Sequence, residues 1–325
     1  MNIVRQRNQL GGDSAKPARC DKLLAAQDAG PRPFFMEDGH IASVVAGNWE
    51  LGTGNLLRCV YTDLDGTLLG RGASLFRDAE GAFTLLPSRA LEACFRANVE
   101  VVLKSGRRKA QVMEDARLIG QSAYIYEMGC GLVIDGEETL LTGDLQPQDG
   151  RTIHDLIEES GAPKLLLDTY AGRLEYHSPW HLNRDISHLF RGLVNGMEAD
   201  ALLDENGFGN LRLVDNGVIS PKETLQQLDG PPHAYHLIPR QASKADAVAR
   251  HMRASGYSPE ECIGLGDSRE DLGVAAVVGR FFLVGNAVEK DPEITQAAPA
   301  NVEVTEGRNG EGFYEAVIRT LAERS

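Results

Sequence analysis

Short apolar runs alternate with helical patterns through most of the chain beyond residue 55. The runs predict strands at residues 56–62, 99–103, 262–265 and 281–284, and helical spacing predicts helices at 87–98, 108–119, 244–255 and 312–323. Helices that separate strands at this interval are typical of a parallel sheet with right-handed crossovers. The pattern therefore predicts an α/β fold built on a doubly wound parallel sheet.

Two stretches near the first strands lack a helical pattern. Residues 124–134, interrupted at Met128 and Gly129, predict another strand or a tight hairpin. The glycine-rich residues 68–86 predict a hairpin or flap. Neither stretch adds a helix to the alternating pattern.

The pattern changes in the middle of the chain. Helices are predicted at residues 152–160 and 186–194, and strands at 164–168, 172–178 and 210–214. Such a mixture is typical of an α+β unit inserted into a larger domain. We therefore expect a core formed by residues 56–143 and 236–325, with residues 144–235 as the insertion.

The first 55 residues do not share this regularity. Residues 1–35 are rich in Gly, Pro, Ala, Gln and charged residues without sustained periodicity, and residues 34–51 show only a weak hairpin-like pattern. Such composition is typical of disorder or a loose arm. We expect residues 1–55 to form an N-terminal extension that is partly disordered.

Composition restricts the class of protein. A hydrophobic content of 42% and a charged content of 25% are typical of a soluble globular chain. A formal charge of −14 without a basic stripe argues against nucleic acid as a partner. No apolar run reaches membrane-spanning length, and the N-terminus lacks an apolar signal core. We expect a cytoplasmic monomer or homodimer that does not bind membranes.

The five cysteines support the same location. They are scattered and include no C-x-x-C pair. This arrangement predicts reduced thiols in a cytoplasm, and neither a disulfide framework nor a zinc site.

The first predicted strand ends in two acidic residues, Asp63 and Asp65, followed by Gly66. Residues two apart in an extended strand share a face, and open α/β sheets bind ligands at the carboxyl ends of their strands. An Asp-Gly pair after a strand is more often a plain turn. The stretch alone therefore does not identify a site.

Polar residues stand at three further strand ends or helix starts, namely Ser105, Lys244, and Asp267 with Asp271. A doubly wound sheet would bring them close to Asp63. This set suits phosphoryl transfer to a carboxylate, because Mg²⁺ on hard oxygen ligands and one lysine would neutralise the incoming phosphate. These residues alone leave open which aspartate is the nucleophile.

Together the motifs resemble those of haloacid dehalogenase superfamily phosphatases. Residues 63–67 (DLDGT) resemble the first motif, Ser105 within LKSGR the second, Lys244 the third, and residues 266–271 (GDSRED) the fourth. The resemblance covers roughly residues 56–323. It implies a Rossmann-like core with an inserted cap domain, phosphatase activity and Mg²⁺ as the cofactor.

The resemblance also implies a role for each matching residue. Asp63 would be the nucleophile, and Asp65 the general acid and then the general base. Lys244 would neutralise the phosphate and the nucleophile, while Ser105 would donate a hydrogen bond to the phosphate. The predicted catalytic residues are Asp63, Asp65, Ser105 and Lys244.

The metal and phosphate ligands follow from the same resemblance. The predicted metal ligands are Asp63, Asp65 through its backbone carbonyl, Asp267 and Asp271. Asp271 would alternatively orient a metal-bound water. The backbones of Gly66 and Gly106 would join Ser105 in binding the phosphate.

The insertion resembles the type IIB cap of the Cof-like, sucrose-phosphatase and mannosyl-3-phosphoglycerate phosphatase groups. Residues 126–130 (YEMGC) resemble the E-N-G-A segment of these groups, with Met128 where Asn is usual. Glu270 also stands where Asn is usual, so that an extra carboxylate either adds to the surroundings of the metal or faces solvent. Both departures concern the subgroup and not the superfamily.

The densest polar and aromatic cluster of the insertion comprises Arg173, Glu175, His177, Trp180, His181, Asn183 and Arg184. A cap closes over the leaving group and should supply specificity. We therefore predict that Arg173, His177 and Arg184 bind sugar hydroxyls or a second anion. Alternatively, His177 and Trp180 pack between the sheet and the helices of the cap, and the arginines are solvated.

The sequence thus predicts a Mg²⁺-dependent phosphomonoesterase that acts through an aspartyl-phosphate on a small phosphorylated metabolite, of the sugar phosphate or glycosyl-phosphoglycerate type. A phosphomutase-type sugar phosphotransferase is an alternative, because phosphomannomutases share the motifs and a type IIB cap. A non-catalytic protein that binds a ligand or partner is a second alternative. Such a protein would be expected to lack one of the catalytic residues, and all of them are present.

Overall fold

The computed structural model describes residues 56–222, 224–225, 228–296 and 298–324. The strands of this part are β1 (Cys59–Thr62), β2 (Glu100–Lys104), β3 (Tyr124–Tyr126), β4 (Gly131–Ile134), β5 (Glu137–Leu140), β6 (Leu174–Tyr176), β7 (His188–Gly192), β8 (Leu211–Val218), β9 (His233–Pro239), β10 (Cys262–Gly266), β11 (Arg280–Leu283) and β12 (Val302–Val304). Its helices are α1 (Leu86–Arg96), α2 (Lys109–Leu118), α3 (Ile153–Ser160), α4 (Ala162–Thr169), α5 (Gly196–Glu205), α6 (Lys244–Ser255), α7 (Arg269–Leu272), α8 (Gly285–Lys290) and α9 (Asn309–Glu323).

Two predictions fall outside the described residues. These are the partly disordered extension at residues 1–55 and the weak hairpin-like pattern at residues 34–51. Among the helices that the structure does describe, none combines the length and the apolar character that a bilayer crossing requires.

The larger sheet has eight strands in the order β12-β11-β10-β1-β2-β3-β4-β5. The strands from β12 to β3 are parallel, whereas β4 and β5 are antiparallel to their neighbours. The central strands β1 and β10 are buried along their whole length, which explains their continuously apolar sequences. Buried residues of α1, α2 and α9 cover one face and those of α6 the other. The predicted α/β fold is confirmed.

The smaller sheet has four antiparallel strands in the order β6-β7-β9-β8. On one of its faces Phe190 and Leu237 join a buried cluster with Ile157, Leu166 and Leu203 from α3, α4 and α5. This layer of helices on an antiparallel sheet fits the predicted cap. Because β9 runs across the predicted boundary at residue 235, we propose that the cap segment extends to the end of that strand.

Two elements of the insertion differ from their prediction. Residues 164–168 were expected to form a strand but belong to α4. Pro163 lies in the first turn of that helix, and the run of leucines after it has no β-branched residue. Residues 186–194 were expected to form a helix but contain β7. All five residues of β7 are buried between β6 and β9, and burial on both faces conceals the strand alternation.

Candidate active site

The predicted core residues converge at the carboxyl end of the larger sheet. Asp63 directly follows β1, Ser105 follows β2 and Asp267 follows β10, and these three parallel strands are neighbours. Lys244 is the first residue of α6. That helix begins after Ser243, whose hydroxyl accepts a hydrogen bond from the Asp246 N–H. The sheet and one capped helix therefore bring the four motifs to one edge.

The Lys244 side chain connects two of the carboxylates. Its Nζ lies 2.9 Å from Asp63 Oδ1 and 2.8 Å from Asp271 Oδ1, and the lysine is fully buried. Burial by itself disfavours the ammonium form, but the two carboxylates outweigh it and raise the pKa of Lys244. A charged lysine is thus held between the predicted nucleophile and a predicted metal ligand.

The two carboxylates bound by Lys244 differ in their proton affinity. Burial raises the pKa of Asp63 to about 7, and the attraction of Lys244 offsets this only in part. Burial also acts on Asp271, but Lys104 and Lys244 together lower the pKa of that carboxyl well below its usual range. Asp271 is therefore ionised at neutral pH, while Asp63 is close to its point of half-protonation.

Lys104 is a functional candidate that the sequence reasoning missed. It is the last residue of β2, it is fully buried, and its Nζ lies 2.6 Å from Asp271 Oδ1. Burial lowers the pKa of Lys104, and Asp271 counteracts that shift. The available signal was a lysine directly after the apolar run at residues 101–103. Within the described residues Asp271 therefore has two lysines as partners, and of these Lys244 also contacts Asp63.

Carboxylate oxygens of Asp63, Asp267 and Asp271 lie within 4.8 Å of one another. Burial is the main cause of a raised pKa for both Asp63 and Asp267, so negative charge here is only partly compensated by the protein. Hard oxygen ligands of this kind suit Mg²⁺. Asp271 is the most engaged of the three, because Ser268 Oγ donates to its second oxygen at 2.6 Å. The donor set fits a divalent cation, with Asp63 and Asp267 as the freer ligands.

Asp267 contacts the Lys290 side chain and the backbone of Gly66. Lys290 Nζ lies 2.6 Å from its Oδ2, and the Lys290 side chain is partly exposed. Gly66 passes so close that a Cβ at that position would lie 2.2 Å from Asp267 Oδ2. Its φ of +90° is also a conformation that favours glycine. Gly66 therefore allows the first motif to approach the fourth.

Asp65 lies outside this cluster in its present conformation. Its side chain is 53% exposed and accepts hydrogen bonds from Arg107 Nε and Nη2 at 2.7 and 2.6 Å. Arg107 also donates to Asp115 at 2.8 Å. Burial opposes the charge of Arg107, yet these two carboxylates raise the pKa of its guanidinium further. The second motif therefore holds the predicted general acid through a bidentate ion pair that the sequence reasoning did not assign.

Ser105 and Gly106 lie where the core meets the cap. Ser105 is buried, and its Oγ accepts a hydrogen bond from the Arg107 N–H at 3.2 Å. A Cβ on Gly106 would lie 2.9 Å from His236 Nε2 and 3.1 Å from Asn216 Nδ2. Both of these residues belong to cap strands. The loop that carries the predicted phosphate-binding hydroxyl is therefore in direct contact with the cap sheet.

Arg184 connects the cap to the core. It is almost fully buried, and its Nη1 donates to the Gly106 carbonyl at 3.0 Å and to Ser187 Oγ at 2.9 Å. Glu127, from the E-M-G segment, accepts hydrogen bonds from the Ser187 N–H at 2.6 Å and the Asp185 N–H at 3.1 Å. The structure thus gives Arg184 protein partners in both the core and the cap, and its predicted contact with substrate stays a prediction.

Glu270 also connects the two parts and neither faces solvent nor joins the carboxylate cluster. Its Oε1 accepts a hydrogen bond from Arg212 Nη2 at 3.2 Å, and Arg212 lies on the cap strand β8. The residue that departs from the family pattern in the fourth motif is therefore an ion-pair partner of the cap.

The other two predicted cap residues lie apart from this contact. The exposed Arg173 precedes β6, and its guanidinium lies over the Tyr170 ring at 5.2 Å. His177 is half-buried, with an Nδ1 that finds no hydrogen-bond partner among the described residues. Burial is the main cause of its pKa of about 4, and the positive charges of Lys222 and Arg191 add to it. His177 is therefore neutral at pH 7 in an electropositive part of the cap.

Arg191 is a second functional candidate that the sequence reasoning missed. It lies on β7 with 1% of its surface exposed, and its Nε and Nη1 lack a hydrogen-bond partner among the described residues. Its Nη2 donates to the Ser220 carbonyl at 3.2 Å, and Glu175 Oε1 lies 3.5 Å from Nε. Arg191 pairs with Ala234 on β9 and so shares a sheet face with His236, which reaches Gly106. A buried and incompletely paired cation therefore lies on the face of the cap sheet that reaches the core.

Comparison with known proteins finds relatives that match most of this chain. No protein-family model matches the chain. A phosphoglycolate phosphatase of Methanoculleus marisnigri is 27% identical over 266 residues, which cover 81% of this chain and 96% of that protein. A phosphoglycolate phosphatase of Archaeoglobus fulgidus is also 27% identical over 266 residues, covering 80% of this chain and 95% of that protein.

Solved structures with a similar fold are haloacid dehalogenase-like hydrolases. The sucrose-phosphatase of Synechocystis has a TM-score of 0.55 and 17% identity, and the match covers 82% of this chain and 98% of that one. A phosphatase of the same superfamily from Bacteroides thetaiotaomicron has a TM-score of 0.55 and 14% identity, covering 85% and 100%. These likenesses confirm the predicted core fold, and the names of the matched proteins agree with the superfamily that the four motifs resemble.

Replacing Lys104 by Met tests its ion pair with Asp271. The substitution leaves a buried carboxylate with one lysine fewer, and it should lower the free energy of unfolding by about 3 kcal/mol in metal-free buffer. Denaturant unfolding measures the change. As a control, Lys109→Met removes a partly exposed ion pair with Glu138 and should cost less than about 1 kcal/mol. Equal losses in the two variants would contradict the assigned burial energetics.

The protonation of Asp63 gives a second test. In the metal-free chain its carboxyl ¹³C resonance should titrate with a midpoint of about 7, because burial favours the neutral form. Adding Mg²⁺ should lower the midpoint, since a cation favours the ionised form. NMR of ¹³C-labelled aspartate measures both, and Asp63→Asn identifies the resonance. A midpoint below about 5 in the metal-free chain would be inconsistent with this dry environment.

Proposed function

We propose that this haloacid dehalogenase-like chain is a Mg²⁺-dependent phosphomonoesterase that acts on a small phosphorylated metabolite. The observation that carries the proposal is the buried Lys244, shared between Asp63 and Asp271 beside Asp267 and Ser105. A carboxylate nucleophile needs a neutralising cation before an anionic phosphate can approach it. The curated relatives named phosphoglycolate phosphatase support the same reaction class.

In the first step Asp63 attacks phosphorus, so that an O–P bond to its carboxylate forms and the bond to the leaving oxygen breaks. Asp65 donates its proton to that oxygen. In the second step Asp65 takes a proton from water, the water oxygen attacks phosphorus, and Asp63 is released with inorganic phosphate. Asp65 must leave Arg107 to act, because Arg107 holds both of its oxygens in the present conformation.

The remaining core residues bind and neutralise the phosphoryl group. Lys244 balances charge on both Asp63 and the phosphate. Ser105 accepts from the Arg107 N–H and so keeps its own hydroxyl proton to donate to a phosphate oxygen. Asp63 and Asp267, with Asp271 behind them, would hold Mg²⁺, which would neutralise the charge that develops on the transferring group.

The cap face that carries Arg191 favours a substrate with a second anionic group. Among the described residues the buried Arg191 guanidinium has Glu175 as an ion-pair partner, but two of its nitrogens make no hydrogen bond, and this is costly unless it binds a further anion for part of the cycle. Carboxylates suit its planar fork of donors. We therefore propose a phosphoester whose leaving group carries a carboxylate, which includes the glycosyl-phosphoglycerate type predicted from the sequence. A cytoplasmic location and a monomeric or dimeric state remain predictions.

A phosphate-release screen tests the function and its alternatives. With Mg²⁺, the chain should release phosphate from a panel that includes 2-phosphoglycolate, 3-phosphoglycerate and sugar phosphates. EDTA and Asp63→Asn should abolish the release, and Asp65→Asn should lower kcat by about 10²- to 10⁴-fold. Asp168→Asn, an exposed change in α4, is the control.

The outcomes of this screen separate the three hypotheses. Transfer of phosphate to a second sugar hydroxyl without net release would favour the phosphotransferase. Absence of turnover on every ester, with ligand binding retained, would favour the non-catalytic protein. Full activity of Asp63→Asn would rule out the assigned mechanism.

Arg191→Met tests the second anion site. It should lower kcat/KM for carboxylate-bearing phosphoesters by about 10- to 100-fold, the worth of a hydrogen bond to a charged group. Phosphoesters without a carboxylate should be nearly unaffected. The ratio of the two kcat/KM values within one variant is independent of how much protein is folded. Lys164→Met, which removes an exposed cation of α4, is the control, and an unchanged ratio in Arg191→Met would remove the proposed site.

A further inference from the structure

A second cluster of metal-ligating side chains lies at the opposite end of the central strands. Cys59 begins β1, Cys262 begins β10 and Glu100 begins β2. Cys59 is directly paired with Cys262 on one side and with Glu100 on the other. Residues paired across neighbouring strands project from the same face of a sheet. Two thiols and a carboxylate therefore stand side by side on three adjacent strands.

Helix α6 places an imidazole over this row. A nitrogen of His251, the Cys59 Sγ and a Glu100 oxygen all lie within 4.8 Å of one another. The Cys59 thiol is also within hydrogen-bonding reach of the Cys262 thiol. Cys59, Cys262 and His251 are fully buried, whereas the Glu100 side chain is 25% exposed. Three donors, from Cys59, His251 and Glu100, thus surround one small volume whose open side is at Glu100, and the Cys262 thiol adjoins this volume beside Cys59.

The neighbours of His251 orient it as they would a metal ligand. Tyr61 Oη lies 2.8 Å from His251 Nδ1, while His251 Nε2 faces Glu100 Oε1 at 3.5 Å. In the tautomer with its proton on Nδ1, the imidazole donates to Tyr61 and turns the Nε2 lone pair toward the cluster. Metal-bound histidines commonly have such a partner on the other nitrogen. Glu100 is held in the same way by Tyr257, whose hydroxyl donates to Oε2 at 3.0 Å.

We propose that Cys59, Cys262, His251 and Glu100 bind one divalent transition-metal ion, of which Zn²⁺ is the representative. Two sulfurs, one imidazole nitrogen and one carboxylate oxygen form a four-ligand set of the kind found in closed structural sites. Thiolate and imidazole select borderline metals over Mg²⁺. Each thiol that binds the ion releases its proton to solvent. The arrangement revises the expectation, drawn from cysteine spacing, that the chain has no zinc site.

The site would be structural and distinct from the proposed catalysis. One ion would join the first residues of β10, β1 and β2, the strands that carry Asp267, Asp63 and Ser105 at their other ends. No water or substrate position is needed among its four ligands. Loss of this ion should therefore lower the stability of the core without removing any group that contacts phosphate.

Cobalt titration tests the proposal on the full-length chain, stripped of metal and kept reduced with a phosphine. One equivalent of Co²⁺ should produce a thiolate-to-cobalt charge-transfer band, and Zn²⁺ should remove it by displacement. Zn²⁺ should also raise the thermal midpoint of the metal-free chain. Asp63→Asn should keep the band, which separates this site from the carboxylate cluster. A wild-type chain that shows no thiolate band at one equivalent would overturn the proposal.

Variants identify the ligands. Cys59→Ser should abolish the band, and Cys262→Ser should weaken it. Tyr61→Phe removes the hydroxyl that lies against His251 Nδ1, and it should weaken Co²⁺ binding by about 10- to 100-fold. Cys94→Ser changes another buried cysteine that lies in α1, and it should leave the band intact. A band that persists in Cys59→Ser, or that disappears equally in Cys94→Ser, would contradict the assignment.

Discussion

A buried carboxylate beside one shared ammonium group is the interaction on which the rest of this structure depends. Removing an ion from water costs several kcal/mol unless a partner compensates it. Asp63 is only 5% exposed, and Lys244 is the one cation bonded to it in the part of the chain that the structure describes. Lys104 supplies the second positive charge through Asp271, so that three buried ions and Asp63 balance one another. The buried surroundings of the proposed nucleophile therefore depend on a lysine that has no proposed part in the chemistry.

The same segments that carry the chemistry also hold the cap. The Gly106 carbonyl, next to the proposed phosphate-binding Ser105, accepts a hydrogen bond from Arg184, and Glu270 of the fourth motif pairs with Arg212. A cap that changed its position would move the loops around the reacting phosphate as well. The proposed binding of a second anion by Arg191 depends less on these core loops. Arg191 is held within the cap sheet, and among the described hydrogen bonds it has no contact with the four motifs.

The sequence was sufficient for the core and insufficient for the cap. Helix α6 has the bounds that its sequence predicts. Its apolar residues recur at helical spacing, and Gly256 adopts the left-handed conformation that ends a helix. Strand β7 was mistaken for a helix because burial on both faces removes the alternating pattern. Lys104 and Arg191 were overlooked because charged residues are normally expected at the surface. Cys59 and Cys262 are neighbours because β1 and β10 lie side by side in the sheet, and the spacing of the cysteines along the chain does not reveal that strand order.

Lys244 occupies a position that its own helix disfavours. It is the first residue of α6, where the backbone N–H groups already create a partial positive charge, and a cation there typically costs up to about 1 kcal/mol. An acidic residue would suit that helix end better. The ammonium group of Lys244 reaches Asp63 and Asp271, so the positive charge of the helix start is extended toward the proposed phosphate site. Lys244 therefore lowers the stability of the first turn of α6 and, at the same time, strengthens the attraction of anions to this end of the helix.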